Sequence, residues 1–177
     1  MLRIPVTQHD HILGPMDAPV TMVEYGDYQC PHSGAAHPIV KQVLEHFGDE
    51  LRFVYRHFPL SEIHPLAVPA AESAEFCGAH GRFWEMHDAI FENQDQLSLP
   101  LLFALVGALG LSERSLREVL LKGTYAEKLK NDLLGGMRSG VNGTPTFFLN
   151  GRRHDGSYAF GDLVSAVEAN LHHTAPT

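Results

Sequence analysis

The stretch from Val20 to Phe47 decides the fold. Its first part, Val20-Thr21-Met22-Val23-Glu24-Tyr25, is a short β-prone run suited to a buried strand. The part after Pro31 changes period: Ala36, Ile39, Val40, Val43, Leu44 and Phe47 recur at helical spacing and mark one apolar face of a helix over 31–47. Pro38 lies inside that helix and is expected to kink it. Gly48-Asp49 ends the helix, and Leu51 to Phe58 alternates as a second strand. Strand, helix, strand in this order reads as a parallel pair joined by a right-handed crossover.

Working outward, the first ten or so residues are polar and read as a loose segment ahead of Gly14-Pro15. From about Ile63 to Ser139 the pattern is helical throughout. Ala67, Ala70, Ala71 and Ala74 define one segment, and Phe83, Trp84, Met86, His87, Ile90 and Phe91 the next, with the aromatic residues read as core. The apolar run Leu99–Leu111 is far short of the roughly 20 residues a bilayer span needs and reads as a buried helix. Thr124 with Glu127 three residues on reads as a capping box opening a further helix, which Gly135-Gly136 would end or weaken. β signals then return: Thr146-Phe147-Phe148-Leu149, the turn dipeptide Asn150-Gly151, and a short charged edge strand Arg152-Arg153-His154. Phe160, Leu163, Val164, Val167 and Leu171 close the chain with an amphipathic helix. The order βαβ, helical block, ββα describes an α/β sandwich with an all-helical domain inserted in its middle. The expected division is 1–62 and 140–177 for the α/β part and 63–139 for the insert.

Composition sets the class. A chain of 177 residues, 44% hydrophobic and 19% charged, is long enough to bury a core without disulfides or metals. Its formal net charge of −8 and pI near 5.8 exclude a basic surface for nucleic acid. Met1-Leu2-Arg3-Ile4-Pro5 carries one basic residue with no apolar stretch after it and does not read as a signal peptide. The expectation is a cytoplasmic protein without membrane insertion, or an exported one already trimmed. Two cysteines, Cys30 and Cys77, are too few for a disulfide scaffold. The twelve histidines show no paired ligand spacing, so no metal site is expected.

Chemistry concentrates at Cys30-Pro31-His32-Ser33, where strand gives way to helix. Proline favours the first helical position, which puts Cys30 at the N-cap. A sulfur there faces N–H groups that have no partner within the helix and the positive end of the helix dipole, and both favour thiolate over thiol. Cysteines in such settings titrate at roughly 3.5–7.5. A cationic His32 would add to the effect. The competing reading is a small buried hydrophobe that happens to start a helix. A second feature is Gly143-Thr144-Pro145, a loop before a strand, where tight X-Pro turns occur.

Together these segments resemble the thioredoxin superfamily, specifically the DsbA-like thiol–disulfide oxidoreductases. The similarity runs from about Asp10 to Leu171. It rests on Gly14-Pro15-Met16-Asp17-Ala18-Pro19-Val20, Glu24-Tyr25-Gly26-Asp27-Tyr28-Gln29-Cys30-Pro31, Gly81-Arg82-Phe83-Trp84-Glu85-Met86-His87-Asp88 and Gly143-Thr144-Pro145-Thr146-Phe147-Phe148-Leu149-Asn150-Gly151. The resemblance implies a thioredoxin fold with an inserted helical domain, Cys30 as nucleophile, a cis Pro145, and a Thr144 backbone offered to an extended peptide.

The family motif is Cys-x-x-Cys, and here Ser33 stands at the second cysteine's place. A dithiol enzyme stores its oxidising equivalent between those two sulfurs and uses the second to release the mixed disulfide. Ser33 does neither, though its hydroxyl could hydrogen-bond the Cys30 thiolate. Three readings are open: a native monothiol enzyme resolved by a substrate thiol or glutathione, an engineered Cys→Ser trapping change, and a redox-inactive peptide- or partner-binding module. Cys77 reads as a core residue rather than a resolving thiol. Glu24 reads equally as a buried proton-shuttling carboxylate or as a solvated strand residue. The expected partners are protein or peptide thiols and disulfides, with glutathione as a co-substrate and no bound cofactor.

Overall fold

The short β-prone runs form strands and the runs of period 3.6 form helices, with one further strand near the N-terminus that the sequence pattern does not announce. The structure, a computed structural model, describes residues 1–174. Its strands are β1 (His11–Leu13), β2 (Val20–Gly26), β3 (Leu51–His57), β4 (Thr146–Leu149) and β5 (Arg152–Arg153). Its helices are α1 (Pro31–Phe47), α2 (Ala67–Gly78), α3 (Phe83–Glu92), α4 (Leu99–Ala108), α5 (Glu113–Lys122), α6 (Ala126–Arg138) and α7 (Phe160–Thr174). This mixture is an α/β fold. Among the described residues no helix is long and apolar enough to cross a membrane.

The chain forms two compact units, residues 1–26, 35–56 and 135–177 in one and 27–34 and 57–134 in the other. The segment 27–34, which carries Cys30, therefore counts with the helices, whereas the sequence reading groups it with the strands.

The first unit is built on a five-stranded sheet in the order β1-β3-β2-β4-β5. β2 and β4 run antiparallel, with Met22 opposite Leu149 and Glu24 opposite Phe147. The hairpin β4–β5 turns at Asn150 (φ 45°) and Gly151 (φ 80°), the two positive values a two-residue turn of this hand requires. Asn150 also accepts the Thr21 N–H at 2.8 Å, tying the turn to β2. Helix α7 packs on β2 and β4 and buries Leu163 and Val167.

The expected loose N-terminus is held instead. β1 pairs antiparallel with β3, and the Leu2 N–H donates to the Gly151 carbonyl at 2.8 Å. The cause is Arg56 on β3, which is buried and must be neutralised. Asp10 meets it through both oxygens (2.7 and 3.1 Å), and the carbonyls of Ile4 and Pro5 and the Tyr25 hydroxyl accept its remaining N–H groups.

In the second unit α2 packs against α3, α4 and α5. Its small residues Ala67, Ala70, Ala71 and Ala74 are all buried and allow that close approach. α4 departs from expectation. Only Leu102 and Val106 are buried in the helix, and Leu99 is 43% exposed. An all-apolar helix still turns just one stripe, four residues apart here, to its neighbours.

The expected capping box at Thr124 does not form. Gly123 (φ 59°) closes α5 in the left-handed conformation, and the Thr124 N–H and hydroxyl both donate to the Val119 carbonyl. Thr124 thus belongs to the end of α5, and α6 starts at Ala126. Nor do Gly135-Gly136 end α6, which continues to Arg138 before Gly140 (φ 85°). Gly135 has a packing reason: a Cβ there would stand 3.1 Å from Ile4 Cγ1 and 3.6 Å from the Tyr25 hydroxyl.

Candidate functional site

Cys30 sits immediately before the first residue of α1, with Pro31 at the first helical position. It is buried, 5% exposed, while Pro31 and His32 are exposed beside it. The turn leading in is closed by the Cys30 N–H donating to the Asp27 carbonyl at 3.1 Å. The Gly34 N–H donates to the Cys30 carbonyl at 3.0 Å and begins the helical ladder. Ser33 is fully buried and its Oγ accepts the Asp27 N–H at 3.3 Å, so the serine ties the first helical turn back onto the entering loop.

Asp27 organises this loop. Its side chain is fully buried and accepts the N–H groups of Gln29 (2.8 Å) and Leu60 (2.9 Å), and its Oδ2 lies 2.8 Å from His64 Nδ1. Gln29 in turn accepts the Leu66 N–H at 2.6 Å. Tyr28 is held by its ring and its hydroxyl: the hydroxyl meets His87 Nδ1 at 3.0 Å, and the ring packs against Phe91, with centroids 4.9 Å apart. Gln94, in the short turn after α3, donates from Nε2 to both the Tyr28 and Cys30 carbonyls, each at 2.9 Å.

The remaining expected site residues belong to the other unit. Glu24, on β2, is 2% exposed, and its Oε1 has no hydrogen-bond partner. Burial raises its carboxyl from the ordinary 4.5 to about 8, so it holds its proton at neutral pH. Glu24 is thus a buried acid rather than a solvated strand residue. Thr144 and Pro145 are half-buried and joined by a cis peptide bond. Beside them a polar hollow of about 170 Å³ is bounded by Pro145, Thr146, Arg153, His154 and Tyr158.

Cys77 lies on α2 with no exposed surface, and burial, with the Glu85 charge second, pushes its thiol up to about 12. It is a core residue, as its sequence position suggests. Cys30 and Cys77 are both thiols in the structure. Sequence reasoning missed Gln94 and the roles of Asp27 and His64. Asp27 stands in the quoted motif, but nothing local marks its partners Leu60 and His64, which lie 33 and 37 residues away.

Residues 6–169 match the family model described as thioredoxin. The chain belongs to the thioredoxin family. Among curated relatives, the Na(+)/H(+) antiporter NhaA 1 of Salinispora arenicola is 46% identical over 94% of this chain, and the Na(+)/H(+) antiporter NhaA of Nitrosospira multiformis is 38% identical over 93%. In each, the matched part is 26% of that protein, so the chain spans about a quarter of the length of these relatives. Among solved structures, BdbD from Bacillus subtilis superposes with a TM-score of 0.83 at 24% identity, covering 91% of this chain and 92% of that one. The α-DsbA1 protein of Wolbachia pipientis gives 0.84 at 21% identity, covering 97% and 95%. These are likenesses of fold.

The expectation of a cytoplasmic protein does not stand. The curated relatives are named as sodium–proton antiporters, and nothing in the chain speaks for the cytosol.

Proposed function

We propose that this chain is a thiol–disulfide oxidoreductase that works through a single sulfur, that of Cys30. The observation that carries the reading is the placement of Cys30 at the first turn of α1, in a thioredoxin-family chain, beside N–H groups that a helix leaves without partners. The Cys30 thiolate attacks one sulfur of a protein, peptide or glutathione disulfide. That S–S bond breaks, a mixed disulfide with Cys30 forms, and the departing sulfur leaves as a thiolate. Ser33 has no sulfur to continue with. A second thiolate, from the substrate or from glutathione, therefore attacks the substrate sulfur of the mixed disulfide and releases Cys30 unchanged. No net oxidation occurs in this cycle, so the activity is isomerisation or glutathione-linked exchange.

We assign Glu24 the role of a proton carrier, since it holds a proton near neutral pH. Pro145, which lines the polar hollow, and its neighbour Thr144 are assigned to substrate binding, and Pro31 and His32 to the electrostatics of the helix start.

The test is the alkylation rate of Cys30 against pH in a Cys77→Ser background, with the labelled residue located by mass spectrometry. An activated thiolate keeps an almost constant rate from pH 8.5 to about 7. A rate that falls about tenfold per pH unit below 8.5 rejects the reading and leaves a binding module in its place. Ser33→Cys then asks whether residue 33 is the resolving position: the variant is expected to gain oxidation of reduced substrates. Failure to gain it removes the monothiol interpretation of Ser33.

The antiporter relatives support a second reading, of where the exchange is used: on the sulfurs of a sodium–proton antiporter. A loss of sodium tolerance on replacing Cys30 by alanine in cells carrying the protein supports it, and unchanged tolerance removes it.

A further inference from the structure

We propose that Gln94 is a positioning residue that clamps the Cys30 turn, and that Gly34 is glycine in order to admit it. The proposal rests on the reading of Cys30 as the reacting sulfur. Two carbonyls two residues apart, Tyr28 and Cys30, accept from the one Nε2 of Gln94 at 2.9 Å each. An amide nitrogen has two hydrogens, so a single side chain uses its full donor capacity on the backbone of this turn. The Cys30 carbonyl also accepts the Gly34 N–H at 3.0 Å, so the clamp and the first bond of α1 share an acceptor.

Gly34 supplies the second, independent observation. A Cβ built there would stand 2.7 Å from Gln94 Cδ, and closer still to its Oε1. The three nearest atoms all belong to Gln94. Gly34 lies inside α1, where alanine would ordinarily be the better residue by helix propensity. The turn that carries Gln94 is itself anchored, because it follows α3, whose His87 and Phe91 pack against the Tyr28 ring. α3 and its exit turn thus grip residues 28–30 by ring and by backbone. The clamp therefore holds the stretch of backbone from which the reacting sulfur projects.

The coupling gives a test with a change of sign. Gly34→Ala should lower the melting temperature of the wild-type chain by expelling the amide, and raise it in a Gln94→Ala background, where nothing remains to expel. Gln94→Ala, and the near-isosteric Gln94→Glu, which cannot donate, should each slow Cys30 alkylation at pH 6.5 by about 3–10-fold, the worth of one to two lost hydrogen bonds. Both should also speed hydrogen exchange at the Gly34 amide. Gly34→Ala alone should match Gln94→Ala in alkylation, and the double variant should be no slower than either. Alkylation that is unchanged in all four variants overturns the proposal even if stability moves, because the glutamine is then only structural. Additive effects of Gly34→Ala and Gln94→Ala overturn it as well. Should wild-type Cys30 show no activated reactivity, the proposed function falls on that measurement. Hydrogen exchange and the sign of the Gly34→Ala effect still judge the clamp separately.

Discussion

Glu24→Gln should stabilise the protein at neutral pH and do so in a pH-dependent way. The carboxyl is buried on β2 with one oxygen lacking any partner, and burial raises it from 4.5 to about 8. Below pH 4.5 the acid is protonated in both the folded and the unfolded chain, and it adds no pH dependence. Between 4.5 and about 8 the folded chain keeps the proton that the unfolded chain has lost, so stability falls as pH rises. The slope from this one group is about 1.4 kcal/mol per pH unit, and the whole window is worth about 5 kcal/mol. By pH 7 about 3 kcal/mol of it has gone.

An uncharged glutamine of the same shape has no such window. Chemical denaturation of both proteins from pH 4.5 to 8.5 isolates the effect, because every other titrating group is shared and cancels in the difference. The two stability curves should start nearly parallel in acid and diverge with pH, the variant ending about 4–5 kcal/mol more stable. At pH 7 that corresponds to a melting temperature higher by about 6–12 °C for a chain of this size. A stability difference that stays constant over the pH range would refute the reasoning. It would mean that Glu24 titrates alike in both states, and its assignment as a proton carrier would go too.

Two further changes test the scaffold of the site. Asp27→Ala leaves the N–H groups of Gln29 and Leu60 and the His64 ring without their acceptor and should cost about 3–5 kcal/mol in denaturant unfolding. Asp27→Asn, which keeps one accepting oxygen, should cost about half as much, and equal costs would show that packing rather than hydrogen bonding decides. Arg56→Lys cannot reproduce the two-pronged contact with Asp10 or reach the Ile4 and Pro5 carbonyls together. It should release residues 2–10, read as faster hydrogen exchange there while β2 and β4 stay protected; unchanged exchange would mean that β1 pairing alone holds the segment.

What was legible in the sequence was local. The strand Val20–Gly26, the switch to α1 at Pro31 and the turn at Asn150-Gly151 are each written in residues within a few positions of one another. Period and turn chemistry suffice for such elements. The misreading of the N-terminus has the opposite property. The N-terminal residues looked loose because the group that holds them, Arg56, lies 46 positions from Asp10. Thr124 looked like a cap because Ser/Thr followed by Glu at the third position is a local pattern, while the αL Gly123 before it had already committed that residue to the previous helix.

The site divides in the same way. Cys30, Pro31 and Ser33 are visible because the chemistry of a helix N-terminus is set by neighbours in sequence. Gln94 is invisible for the reason that makes it effective: it reaches the Cys30 carbonyl across 64 positions, so its hydrogen bonds exist only once α3 has docked beside Tyr28. A clamp drawn from the same stretch would move with the turn it is meant to hold. A residue on a separately anchored element resists that motion, since shifting it means disturbing the packing of Phe91 and His87. The one local trace is Gly34, a glycine inside a helix where alanine would serve better unless something must come close. On the proposed reading Cys30 works without a partner sulfur at residue 33, and distant contacts of this kind hold the turn that carries it. Loss of the clamp should therefore be felt first in reactivity and only second in stability.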